Sequence, residues 1–463
     1  MYKIWEGVKF VDEMSNKRFW KKLLPLVFPI AFEQLMYSFV SASDALMLGL
    51  LDQASLSAVS LAAQVQFVFS LFMSGLSSGG SILAAQCWGK GEREQVERVY
   101  AILLRSAVVV GGTFFCAAFF VPHMVMRFFT PDHELIELGS RYLRIVSLSY
   151  LSSSINQCNM CIMKNTGRAP RASLIGSSCV VINLGLNAVL IFGLFGLPAM
   201  GVSGAALATL LAQLICLTWG IGETMRIKTV RLRPEFLRDL RMPLQKKFWK
   251  YTLPVMANSV VWGLGITMGS VILGHLGTDA VAANSIASIA KNLIACFCNG
   301  LAAGTAILVG NELGAGHLER AKLYGGKLVS LAVVSGLISG AILIALTPVI
   351  RSVAVLSDQS MEYLRWMILV CAGNIVGMSH NSTTICGLFA AGGDTKFGFI
   401  CDAITLWLIV VPLGFFTAFV LEWPVIAVYG VICMDELVKM PAVWRHYKKY
   451  RWVRDLTETL HEG

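Results

Sequence analysis

Apolar residues in this chain gather into long runs broken by short polar turns. Twelve such runs can be delimited, at 24-50, 56-85, 100-121, 135-160, 172-195, 201-222, 251-274, 281-308, 328-350, 362-388, 397-420 and 425-443. Each is long enough to cross the roughly 30 Å hydrocarbon layer as a helix. The pattern predicts an all-α integral membrane protein with twelve transmembrane helices. Several runs exceed the minimum span, which predicts tilted or kinked helices. Composition agrees: 56% of residues are hydrophobic and 14% charged, against about 25% charged in ordinary soluble domains.

The few charges are placed asymmetrically. Lys3, Lys9, Lys17, Arg18, Lys21 and Lys22 precede the first run, a cluster of Lys and Arg runs from Arg226 to Lys250, and another runs from Arg445 to Arg454. Links on the opposite side hold only Arg127 and Arg351. Because basic residues accumulate on the cytoplasmic side, both termini are expected there, in a multi-pass protein of the cell membrane. The net charge of +10 then reflects topology and contact with anionic lipid, and nucleic acid is excluded as a partner. No removable leader is expected ahead of the first run. The cysteines lie mostly within spans and show no zinc spacing; Cys158 and Cys161 read as packing residues.

The chain repeats itself. Pro29, Gly49, Gly75, Gly79, Gly89 and Gly91 recur in the second half as Pro254, Gly274, Gly300, Gly304, Gly314 and Gly316, all at one constant offset and without a gap. The expected domains are a six-helix lobe over 1-222, a basic linker over 223-250, and a second six-helix lobe with a basic tail over 251-463. Six crossings per half is an even number, so both halves enter from the same side and are related by an axis along the membrane normal. A cleft between two such lobes can be exposed alternately to each side. The Gly-x-Gly pairs at 89 to 91 and 314 to 316 are read as helix C-caps, since no strand precedes them to make a phosphate loop.

One carboxylate stands out. Asp44 lies well inside an apolar run, where an uncompensated charge costs several kcal/mol. Glu33, Tyr37 and Asp44 fall on one helical face, the two acids about 16 Å apart along the axis. Asn183 and Asn187, one turn apart in the fifth run, offer amides that can bond a protonated Asp44 or coordinate a cation. Such a carboxylate suits a group that takes up and releases an ion.

Together these residues resemble the multidrug and toxic compound extrusion (MATE) transporters. The resemblance rests on Pro29, Asp44 and Gly49 in the first run, "GLSSGGSILAAQCWGKGE" after the second, "NTGRAPRASLIGSSCVVINLGLNAVLIFG" followed by "GVSGAALATLLAQ", and their echoes in the second half. It covers about residues 20 to 445. It implies a V-shaped pair of six-helix lobes that exports bulky, often cationic or amphipathic compounds in exchange for protons or sodium ions moving inward. It also implies Asp44 as the titrating acid, Pro29 as a bend, with Pro254 its repeat, and Asn183 and Asn187 as the helix-five motif. Part of the family has an aspartate at the position of Asn187, so a two-carboxylate relay through that position is absent here. Glu33 is left as either a second acid or a solvated mouth residue.

Sodium-coupled relatives carry a glutamate in helix seven and an aspartate in helix ten. Neither run of this chain has one, so the remaining candidate sodium site is Asp44 with Asn183 and Asn187. Lys291, with Asn284 and Ser288 on one stripe of the eighth run, is expected to face the cleft. Tyr37, Met36, Trp262 and Phe297 are further cleft candidates, offering soft aromatic surface to flat cations. Asp402, Asp435 and Glu436 read as interfacial, and His380 as a packing residue. No enzyme motif is present, no cofactor is expected beyond a coupling proton or sodium ion, and a monomer working on small organic substrates among membrane lipids is the resulting expectation. The alternative within transport is a flippase for lipid-linked precursors, which would carry more charge in its cleft.

Overall fold

The computed structural model describes residues 2–49, 53–226, 230–231, 233–239, 242–354 and 356–458, with side chains from Asn16 onward except at 41–42, 44–46, 48–49, 53, 242 and 353. Twelve helical crossings run through them. They are α1 Tyr2–Gly49, α2 Gln53–Lys90, α3 Arg93–Phe120, α4 His133–Met163, α5 Ala169–Phe192 and α6 Gly201–Arg226. The second set is α7 Met242–His275, α8 Thr278–Gly314, α9 Leu318–Val353 and α10 Asp358–Asn381, then α11 from Thr395 to Phe419 and α12 from Val425 to Tyr447. Several helices outrun the apolar stretches: α1 begins at Tyr2, α2 ends at Lys90 and α7 begins at Met242. Hydropathy marks the length in oil, whereas Lys, Arg and Glu continue a helix into the polar layer at little cost.

The second half is the more interrupted. π-helical turns continue α10 over Ser382–Phe389 and occupy the middle of α11 over Ile404–Val410, while α12 breaks between Ile432 and Asp435. Among the described residues of the first half a single π turn, Lys164–Arg168, joins α4 to α5, and α5 and α6 are continuous.

The halves meet with two-fold regularity. Phe19, Leu23 and Val27 of α1 pack into the core formed by α8, α9 and α10, and Leu244, Phe248 and Met256 of α7 pack into the core of α2, α3 and α4. Each half thus lends an arm to the other. A Cβ on Gly75 would meet Met256 and one on Gly79 would meet Thr252; the repeats Gly300 and Gly304 face Ala31 and Val27, which are themselves the repeat positions of Met256 and Thr252. Gly89 abuts the carbonyl of Asn311, and Gly314 that of Gln86, with 2.0 Å left for a Cβ in both cases. The caps read from sequence are Gly91 (φ 84°) and Gly316 (φ 75°), whereas Gly89 and Gly314 are glycine because α2 and α8 cross there.

Candidate functional site

The end of the molecule that carries residues 16–22 and 450–458 is sealed. Lys22 on α1 reaches Glu312 on α8 at 2.5 Å, and Arg320 holds the other oxygen of Glu312 at 3.2 Å. The two-fold equivalent of Lys22 is Lys247, and that of Glu312 is Cys87, which offers no carboxylate. Lys247 bonds instead to the backbone carbonyl of Leu456 in the tail. Gln86 accepts from the Leu456 N–H at 2.7 Å and donates to the carbonyls of Ala391 (2.6 Å) and Arg454 (3.1 Å). The ring of Trp452, fully buried, fills the space left by Gly325, and its backbone carbonyl lies against Gly392. The tail therefore completes the seal where the repeat has lost an acid.

Above the seal, α1 meets α8 through the Phe28 and Phe297 rings, 6.1 Å apart, and through Ser38 and Cys296 at 3.6 Å; Leu71 of α2 meets Gly263 of α7. Beyond these contacts Tyr37, Phe67 and Trp262 are exposed. Phe297 thus stands at the seam between the halves, and Met36 is half-buried beside Tyr37. Asn284 accepts a bond from Ser288 at 3.3 Å on the part of α8 away from the seal. Lys291 is half-buried and lies within electrostatic range of Asp435 and Glu436, so its charge is felt inside the second lobe.

In the first lobe the side chain of Asp44 lies outside the described residues. The two asparagines expected beside it bond to each other: Asn187 donates to Asn183 at 3.2 Å, both are buried, and Asn183 donates to Thr209 on α6 at 3.3 Å. Thr209 was not singled out in sequence, although a lone hydroxyl in "ALATLLAQ" is the kind of signal that marks it. Glu33 is 5% exposed, one turn beyond Pro29 within α1. It accepts from Lys164 at 2.7 Å and from Ser173 at 2.8 Å, and Gly176 leaves room for it, since a Cβ there would lie 2.7 Å from its Oε1. Glu33 is thereby tied to the turn between α4 and α5, where a solvated mouth residue would be free. Pro254 lies inside α7, at the point matching Pro29.

The largest departure from sequence expectation is in the second lobe. Asp402 and Glu436, read as interfacial, are 5% and 7% exposed, and both hold Lys439, itself 4% exposed, at 2.8 and 3.0 Å. Asn381 donates to Glu436 at 2.9 Å, His380 bonds to Asn381 at 3.0 Å, and Asn374 donates to Asp435 at 3.3 Å. Glu436 stands midway along α12. Hydropathy misplaced it because "DELVKMPAVWRHYKKY" looks like a helix leaving the membrane. Among the described residues no group of three metal-ligating side chains is found.

The fold and its two-fold seam define a membrane transporter built from paired six-helix lobes. The MatE family profile matches it twice, over residues 29–189 and 254–416, and the chain belongs to that family, the multidrug and toxic compound extrusion transporters. It is 24% identical over 438 residues to the uncharacterized transporter YisQ of Bacillus subtilis, covering 93% of this chain and 95% of that protein. It is 27% identical over 414 residues to a probable multidrug resistance protein NorM of Rhizobium meliloti, covering 86% of this chain and 85% of that one. Among solved structures, MATE in the straight conformation superposes with a TM-score of 0.85 at 18% identity, covering 93% of this chain and 96% of the other. The outward-facing conformation of a multidrug resistance MATE transporter gives 0.83 at 18%, covering 93% and 95%.

Proposed function

We propose that this MATE transporter exports amphipathic, cationic organic compounds by alternating access, driven by inward movement of protons or sodium ions. The observation that supports this most is the seam. The same glycine contacts occur twice, at repeat positions of the two halves, and they close the end that carries residues 16–22 and 450–458, the inner end in this reading, by helix touching helix and not by a covalent link. Contacts that depend on two helices touching backbone to backbone are either made or broken, which suits lobes that rock between two states.

In this reading 1-222 and 251-463 are the moving units, 223-250 is the cytoplasmic link, and both termini face the cytoplasm as a monomer in anionic lipid. Asp44 is the coupling group, with Asn183 and Asn187 beside it as bonding partners or as sodium ligands. Tyr37, Met36, Trp262 and Phe297 form the walls that take the flat, apolar part of the substrate. Lys291 and Asn284 set which charges the second lobe admits. An ion drives the cycle only through a difference in its affinity for the two states, so its site must be wetted from opposite sides in turn.

The decisive experiment reconstitutes the protein in liposomes and imposes a pH gradient or a sodium gradient across a panel of cationic and anionic dyes. Export of cationic dyes against their gradient, driven by one of the two ions, is the expected result. Accumulation driven by neither ion, or confined to lipid-linked anions, would refute it.

A further inference from the structure

The buried charges of the second lobe are not balanced. Asp402 on α11 and Glu436 on α12 are two buried carboxylates and Lys439 on α12, between them, is one buried ammonium group, while half-buried Asp435 and Lys291 add one charge of each sign beside them. The other polar groups that face them are neutral: Asn374, His380, Asn381 and Cys386 from α10, Cys401 from α11 and Cys433 from α12. With every acid ionised the site carries one negative charge inside a lobe embedded in lipid, and an uncompensated buried charge is strongly unfavourable. The cheapest compensation is one bound proton.

A second feature of the site is its backbone. α10 turns π-helical at Ser382, directly after His380 and Asn381; α11 does so at Ile404, two residues after Asp402; and α12 breaks immediately before Asp435. Three helices are thus interrupted at the same cluster. Such interruptions concentrate at functional sites, and they let a side chain shift without unwinding its helix.

We infer that the cluster of Asp402, Glu436 and Lys439 is a proton-binding site of the transport cycle, separate from Asp44, with Glu436 as the acid that loads and unloads. This rests on proton coupling as the driving force proposed above. Lys439 lies 2.8 Å from Asp402 and 3.0 Å from Glu436. When Glu436 takes a proton its carboxylate becomes a neutral carboxylic acid, and Lys439 remains an ammonium ion serving Asp402 alone. Loss of the proton shares Lys439 between the two acids again and restores the charge-assisted bond that Glu436 accepts from Asn381 on α10, so the charged state ties α12 to α10 while the protonated state leaves Lys439 to hold α11 against α12. The two protonation states therefore favour two packings of these helices, and that difference is what couples a proton to conformation.

The test uses the full chain in liposomes with trapped pyranine and ethidium as the exported dye. For Glu436→Gln we expect export to continue with about one proton fewer moved per dye and with a displaced pH profile. Glu436→Asp should keep the ratio and displace only the profile. An unchanged ratio and profile in Glu436→Gln, alongside pH-driven export by the unmutated protein, overturns this site and leaves proton coupling intact. Export by the unmutated protein under a sodium gradient alone overturns the coupling reading itself. Should Glu436→Gln fail to insert, pH-difference infrared spectra of Asp44→Asn protein ask the same question. A titrating carboxyl band that moves in Asp44→Asn combined with Glu436→Asp supports the site, and absence of any such band sinks it.

Discussion

The two lobes share a seam and differ in their interiors. At the seam, residues at repeat positions make equivalent contacts, down to the 2.0 Å that would separate a Cβ on Gly89 or Gly314 from a carbonyl oxygen opposite. Inside, the first lobe keeps α5 and α6 continuous and lines them with neutral Asn183, Asn187 and Thr209. The second interrupts three helices around Asp402, Glu436 and Lys439. A backbone crossing tolerates no added atom, so both copies keep it. A polar interior needs only to satisfy its own charges, so each copy solved that problem separately.

If the first lobe is the indispensable coupling element, the largest effect belongs to Asp44→Asn. The change is nearly isosteric and burying a neutral amide costs less than burying a carboxylate, so the protein should insert and bind dye. Gradient-driven export should fall to the level of empty liposomes. Export at the unmutated rate from protein at normal membrane levels would remove Asp44 from the mechanism and shift the weight to the second lobe.

Next come the lysines that hold buried acids, one in each lobe. Lys439→Met leaves Asp402 and Glu436 buried without their shared cation, which should cost about 3–5 kcal/mol. Lys164→Met leaves Glu33 with Ser173 still donating, so its cost should be nearer to about 1–3 kcal/mol. Thermal unfolding in detergent orders the two, and equal losses would mean that Lys439 is no more central to its lobe than Lys164 is to the other.

How much of this was legible follows the same division. The spans and the seam could be read because they depend on long apolar runs and on glycine spacing, both of which survive in one dimension. Glu33 and Glu436 could not be placed, because burial of a charge depends on which lysine folds back onto it. Glu33 sits on α1 and its lysine, Lys164, on the turn after α4, while Lys439 on α12 reaches back to Asp402 on α11. The role of the tail was equally hidden: nothing in "YRWVRDLT" announces that Leu456 answers Lys247 in place of a missing acid.

The seam itself should respond symmetrically. Gly89→Val and Gly314→Val each drive a side chain into a backbone carbonyl across the lobes, so each should cost at least the roughly 1–3 kcal/mol of ordinary overpacking and open the inner end. Cys87, a free thiol buried beside Gln86 at the crossing, would then react faster with a membrane-impermeant maleimide applied from the inner side. Gly112→Val and Gly185→Val, which meet nothing within 4 Å, serve as controls. A large response to only one of the seam pair would show that the two-fold closure is unequal in energy despite its equal geometry.

The smallest effect separates the lobes at the ends away from the seal. Asp279, in the first turn of α8, accepts hydroxyl bonds from Ser357 and Ser360 at the start of α10, both at 2.5 Å. Its repeat position is Ala54, whose methyl group can accept no such bond. The two hydroxyl bonds favour the ionised carboxylate and hold Asp279 below the usual range for an aspartate, against a weaker opposing effect of burial. A folded-state pKa that is depressed contributes stability above the unfolded value of about 3.9, and that contribution is lost as pH falls through the folded value. Asp279→Asn should therefore lower the Tm slightly at pH 7, and the gap to the unmutated protein should narrow as the pH is taken below about 4. Because the carboxylate is open to solvent the shift will be small. A gap that stays constant across that range would mean that the tie is a matter of shape alone, and that the charged end of α8 adds nothing that Ala54 lacks.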